Sequence, residues 1–170
     1  GLRGKLRSLE LLGGKTHTKR VPRIYMENDV PTRLAVLQGL MDTDGYVSKM
    51  GSCSFSSTSL GLLDDVVWLV RSLGGAATYQ KPKRKKRPDG GYYRPGYTAR
   101  VRLRGLPLFR LPRKQNRVKD NVHRISVASI EPCGSAEMQC ITVDASDGLF
   151  LANDFIVTHN TLNDSFIILD

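Results

Sequence analysis

The stretch that most constrains this chain is residues 32–45, TRLAVLQGLMDTDG. Leu34, Leu37 and Met41 recur at spacings of three and four, the period of one helix face. Thr32 can cap a helix that runs from Arg33. Gly39 sits inside that helix at a cost of about 1 kcal/mol relative to alanine, which suits close approach of a second helix. The helix stops at Asp42-Thr43-Asp44-Gly45. Two carboxylates at a helix C-terminus oppose the helix dipole. A bound divalent cation would reverse that sign, and hard oxygen ligands suit magnesium.

The surrounding segments read as alternating short helices and strands. Residues 1–12 can end a helix closed by Gly13-Gly14. Lys19 to Pro22 is extended, because proline disfavours helix at Val21. Residues 47–57 hold two short strands around Gly51. Ser59 caps an apolar helix through Leu62, Leu63, Val66, Val67, Leu69, Val70 and Leu73, closed by Gly74-Gly75. Trp68 on that helix is a core residue. Residues 76–80 and 97–103 then form a hairpin. Its long tip carries Lys81, Lys83, Arg84, Lys85, Lys86, Arg87 and Arg94, with Tyr92 and Tyr93 among them. Arg100 and Arg102 alternate with Val101 and Leu103, so one face of that strand is basic.

The nonapeptide Leu37-Gln38-Gly39-Leu40-Met41-Asp42-Thr43-Asp44-Gly45 resembles the LAGLIDADG motif of homing endonucleases. It matches at both leucines, both glycines and both aspartates, with Met41 in an aliphatic place. The resemblance implies an α+β fold, an αββαββα half-domain in which two such helices pack through small residues. It implies that the second acidic residue, Asp44, is catalytic and binds Mg2+ at the scissile phosphates of double-stranded DNA. The basic residues of the hairpin, together with Arg100 and Arg102, would then contact DNA. Read without the resemblance, the acidic turn is merely solvated and KPKRKKR is a solvated tip or a localisation-like run.

Leu111-Pro112-Arg113-Lys114 resembles a stretch common where intein-borne endonucleases rejoin the splicing domain. From Val122 the texture changes to strands over 123–131, 137–144 and 149–160, with a turn at residues 131–134. Residues 149–161, LFLANDFIVTHNT, resemble the terminal blocks of an intein, so the second part is expected to be the C-terminal β-strands of a Hint fold. The resemblance implies that Asn160 cyclises to a succinimide and releases the chain after it. An intramolecular attack of that kind loses most of its entropic cost. His159 would assist as acid or polariser, and Thr161 would be the acyl acceptor. Cys140 stands where many inteins carry an aspartate, and its thiol could move a proton there or be inert. Gly148 lies near where many members have a histidine, which shifts the load to His159. Residues 161–170 resemble the strand before the Walker B aspartate of PhoH-like ATPases.

The expected division is therefore an endonuclease region over 1–118 (the end of a first half-domain at 1–14), a splicing region over 119–160, and a C-extein over 161–170. The net charge of +10 favours a polyanionic partner and says nothing about fold. Three cysteines, Cys53, Cys133 and Cys140, form neither a disulfide framework nor a metal pair. With no signal peptide and no membrane-length apolar run, a reducing, cytoplasmic setting is expected. The main reading combines metal-dependent DNA cleavage with cofactor-free protein splicing. The alternatives are a free-standing homodimeric endonuclease and a non-catalytic basic DNA-binding relic. One LAGLIDADG motif and no upstream splicing nucleophile make this chain alone incomplete for both activities. The expected partners are DNA and an N-terminal intein half.

Overall fold

The computed structural model describes residues 1–9, 11–83, 86–119, 129–132, 134 and 141–159. The chain divides into two compact units, Gly1–Asn121 and Val122–Asp170.

The first unit opens with helix α1 (Leu2–Ser8), a 3-10 turn (Thr16–Thr18) and the short helix α2 (Arg23–Met26). Helix α3 (Val30–Asp44) then leads straight into strand β1 (Gly45–Val47) and strand β2 (Cys53–Ser57). Helix α4 (Leu60–Ser72) precedes the hairpin of β3 (Ala76–Lys83) and β4 (Gly96–Arg102), and α5 (Pro112–Gln115) closes the unit. The four strands form one antiparallel sheet in the order β1-β2-β4-β3. From α3 onward the order is αββαββα, as the motif resemblance implies.

Helix α4 packs on β2, β3 and β4. Its Leu63, Val66, Leu69 and Val70 are fully buried in one core with Phe55, Ala99 and Val101 of the sheet and Leu37 and Met41 of α3. Each of these side chains larger than Ala99 contributes roughly 1.5–3 kcal/mol by its burial. Ser59 caps α4 as expected, its Oγ accepting the Leu62 amide at 3.2 Å. Gly74, at φ +78°, ends it in the left-handed conformation that costs glycine nothing. Trp68 packs at the margin of this core.

Helix α3 starts earlier than the sequence suggests. Asp29 is the N-cap and accepts the Thr32 amide at 3.0 Å. Thr32 is therefore inside the first turn, and Pro31 fits there because its missing N–H would have no intrahelical partner. Helix α1 ends at Ser8, short of Gly13-Gly14, and α2 was not expected at all.

The 16–21 segment is strapped to α4 by Asp65, which is 1% exposed. Its carboxylate accepts Arg20 Nη2 at 2.6 Å, Arg20 Nε at 2.9 Å and the Val21 amide at 2.7 Å.

In the second unit β5 (Leu149–Ala152) pairs antiparallel with β6 (Ile156–His159). The single strand expected over 149–160 is thus a hairpin. Its turn places Asn153 and Phe155 at φ +34° and +65°. Residues 141–144 were expected in a strand and lie in none. Most of 123–131 and 137–140 lies outside the described residues. No signature particular to a Hint fold stands among those described. No described helix is long and apolar enough to cross a membrane.

Candidate nucleic-acid interface and the acidic helix end

The last turn of α3 sorts its two aspartates into different jobs. Residues two apart on a helix point about 200° from each other. Asp42 faces the loop before α5. Its carboxylate accepts the Leu111 amide at 3.2 Å and the Arg110 amide at 3.2 and 3.3 Å. Four residues back, Gln38 is buried on the same face. It donates to the Pro107 carbonyl at 2.8 Å and accepts Arg110 Nε at 3.0 Å. The loop is anchored from below by Leu108 and Phe109, both buried.

Asp44 points elsewhere. It is exposed at the last position of α3, and no described residue bonds its carboxylate. Among the described residues no group of three or more His, Cys, Asp or Glu could hold a metal. Magnesium, however, is commonly held by one or two carboxylates together with substrate phosphates. Asp44 fits that kind of site as one donor and does not form a cage by itself. Gly45 is needed beside it: a Cβ there would lie 2.8 Å from the Met41 Cα and collide with the Met41 carbonyl oxygen.

The charge at this helix end is balanced by a residue that the sequence reading did not assign. Lys114 Nζ donates to the carbonyl oxygens of Met41 at 3.0 Å, Asp42 at 2.8 Å and Gly45 at 2.6 Å. The same Nζ lies over the Phe109 ring, 5.4 Å from its centroid. An ammonium group thus offsets the negative end of the helix dipole through the backbone carbonyls, leaving the Asp44 carboxylate unbonded by it.

The sheet has one face on the helices and one face outward. Directly opposed residues share a face, so the register places Tyr46, Ser54, Arg100 and Thr78 in one outward row. Ser56, Thr98 and Gln80 form the next, where Ser56 and Thr98 hydroxyls are 2.9 Å apart. Arg102 and Ala76 follow. The alternation read for β4 holds, with Val101 fully buried and Arg100 exposed. Two adjoining hollows on this face are lined in part by Thr78, Gln80, Arg100 and Arg102, and by Ser56, Lys81, Arg94 and Thr98.

The basic tip is folded where it is described. Lys86 and Tyr92 form a bridge, the Arg87 amide donates to the Gly91 carbonyl at 2.7 Å, and the Arg87 guanidinium lies 5.2 Å from the Tyr93 ring centroid. Lys81, Lys86, Arg87 and Arg94 are exposed. Lys83 pairs with Gly96 in the β3–β4 ladder. Arg84 and Lys85 lie outside the described residues, as does the side chain of Lys83. The structure thus brings Arg100, Arg102, Lys81 and Arg94 to one face.

Of the residues expected to act in splicing, His159 ends β6 and is exposed. Cys140, Asn160 and Thr161 lie outside the described residues. Sequence reasoning missed Lys114, Gln38 and Tyr46. The helical offset between Asp42 and Asp44 was a readable sign that the two acids diverge. The 69–73 residues between Lys114 and its acceptors left no local sign of that cap.

A family model described as a LAGLIDADG-like domain matches residues 31–127. That span runs from the first turn of α3 past α5 and covers more than half of the chain. The chain is also 28% identical, over 165 residues, to the replicative DNA helicase DnaB of Mycobacterium intracellulare. The match covers 94% of this chain and 28% of that protein, so the chain spans little more than a quarter of its curated relative. With the motif helix, the αββαββα order and the family match in agreement, the chain belongs to the family of LAGLIDADG-like domains.

Proposed function

We propose that this chain is one LAGLIDADG half of a DNA-binding endonuclease that is completed by a second motif helix. The division of labour at the end of α3 carries the reading. Asp42 is consumed by the loop amides of Arg110 and Leu111, and Asp44 is left at the surface to serve chemistry. The outward sheet face supports it with a polar and basic surface of the kind that follows phosphates and reaches base edges. When bound, Mg2+ would activate water and stabilise charge on the scissile phosphate. Asp44 would hold and orient it. Arg100, Arg102, Lys81, Lys83, Arg84, Lys85, Lys86, Arg87 and Arg94 would position the duplex.

One motif supplies one such carboxylate. The apolar residues of helix α3 extend beyond its buried stripe of Leu37 and Met41: Leu34, Ala35, Val36 and Leu40 are only half-buried, and Gly39 is exposed with nothing within 4 Å of a Cβ built there. A helix of that composition is normally covered. A second copy, or an N-terminal half carrying the first motif, would cover it. The free-standing homodimer is thus favoured over a relic that binds without cutting.

The test is cleavage of a plasmid library with randomised inserts, with Mg2+, by the chain and by Asp44→Asn. The expected result is metal-dependent breaks that vanish in the variant, while duplex binding persists. Equal breakage by both proteins would remove Asp44 from the chemistry. Tight binding with no breaks by the dimer would leave the relic.

The resemblance of residues 149–161 to the terminal blocks of an intein carries a second reading beside the first. The helicase match, covering 94% of the 170 residues, leaves about ten unmatched, so that likeness runs from the first unit well into the second. In this reading residues 119–160 end a splicing domain, His159 assists Asn160, Cys140 moves a proton, and Thr161 accepts the acyl group. The PhoH-like reading of 161–170 rests on those residues alone, since the relative is named as a replicative DNA helicase. Mass spectrometry of the chain against Asn160→Ala tests this role. Equal release of a C-terminal peptide from both would exclude succinimide formation.

A further inference from the structure

We infer that Lys114 is a positioning residue for the metal-binding end of α3. The inference rests on the reading of Asp44 as the metal ligand. All three N–H bonds of the ammonium are directed at carbonyl oxygens on either side of Asp44, those of Met41, Asp42 and Gly45. An unsupported helix end frays, because its last carbonyls lack partners. Here the cap ties them to α5, which is itself held by Asp42 and Gln38 through the 107–111 loop. Asp44 is therefore presented from a turn fixed at both flanks. Groups that orient a metal ligand without touching the metal typically change affinity by about 10- to 100-fold when they are replaced.

Charge and geometry act in opposite directions here, which makes the inference testable. A positive group beside a cation site repels the cation, so loss of charge alone would tighten binding. Loss of positioning weakens it. Lys114→Arg keeps the charge, but a planar guanidinium does not direct three donors at three converging carbonyls. The experiment titrates Mn2+ into the full 170-residue chain and follows paramagnetic broadening of the amides of Asp44, Gly45 and Tyr46. Lys114→Arg, Lys114→Met and Asp44→Asn are compared with the parent, with amides of Leu69 and Val101 as reporters of an intact core.

The expected result is that Asp44→Asn abolishes the broadening and Lys114→Arg needs about tenfold more Mn2+. If Asp44→Asn abolishes it and Lys114→Arg titrates like the parent, the role of Lys114 is refuted and the Asp44 reading stands, even if thermal stability falls. Tighter Mn2+ binding by Lys114→Met would likewise reduce Lys114 to a charge and overturn the inference. Undiminished broadening in Asp44→Asn removes the metal reading, and the inference with it. If Lys114→Met does not fold, Lys114→Arg carries the comparison.

Discussion

The Asp42 carboxylate accepts the backbone amide of Leu111 at 3.2 Å, across 69 positions of sequence. The first acid of the motif is therefore a structural acceptor. Asp42→Ala strips the Arg110 and Leu111 amides of their partner and is expected to cost about 1–3 kcal/mol of stability. Asp44→Ala removes a negative charge from a helix C-terminus and leaves no amide unpaired. Its melting temperature is expected to equal or slightly exceed that of the parent. Thermal unfolding of the two variants side by side checks this. An equal loss in both would mean that the acids are not divided as described.

Much of the fold was legible because its signals are local. Ser59 and Gly74 bracket α4, and the alternation around Val101 fixes the inward face of β4. The start of α3 was not, because two capping residues, Asp29 and Thr32, compete and only the geometry of Pro31 decides between them. The candidate site was half legible. Asp44 follows from a nine-residue motif, whereas Lys114 acts through a contact that sequence spacing does not encode. In the second unit the strand pattern over 149–160 was read correctly as β, but the bend at Asn153 needs two residues at positive φ, one of them Phe155. A bulky residue is the wrong cue for such a turn.

Arg20 and Arg23 each pair with a carboxylate, and burial separates their worth. Arg20→Ala leaves Asp65, 1% exposed, with the Val21 amide as its remaining partner among those described above. The expected cost is about 2 kcal/mol, below that of a fully buried pair because the Arg20 side chain is itself 63% exposed and nothing on its side is stranded. Arg23 bonds Glu27 at 2.6 Å, but both side chains are more than half exposed. Such pairs contribute between nothing and about 1 kcal/mol. Urea midpoints should therefore separate the two alanine variants clearly. Equal midpoints would show that the strap formed by residues 16–21 is dispensable.

Burial pushes the Cys53 thiol up to about 11. An unfolded chain releases that proton near pH 8.5. Between these values the unfolded state gives up a proton that the folded state keeps. Stability from this group is thus complete below about pH 8.5 and declines as pH rises toward 11, by roughly 3 kcal/mol in all. Tyrosines and lysines titrate in the same range, so the informative quantity is the difference in slope between the parent and Cys53→Ala. Parallel slopes in urea unfolding at pH 8 and pH 10, values chosen at about the two ends of the window, would contradict a buried neutral thiol.

Arg100 sits mid-face, in register with Ser54 and Thr78, while Arg87 is at the tip, already engaged with the Tyr93 ring. If the outward face follows DNA, Arg100→Ala should weaken binding to a random duplex and reduce the slope of log affinity against log salt by about 1, the signature of one lost phosphate contact. Arg87→Ala should change it less, because part of the guanidinium surface is committed to stacking. A base contact by Arg100 would behave differently: the slope would hold, and the loss would appear only with a preferred sequence. Fluorescence anisotropy across a salt series distinguishes these cases. A slope unmoved by either substitution on a random duplex would place the electrostatic contact elsewhere on this strongly basic chain.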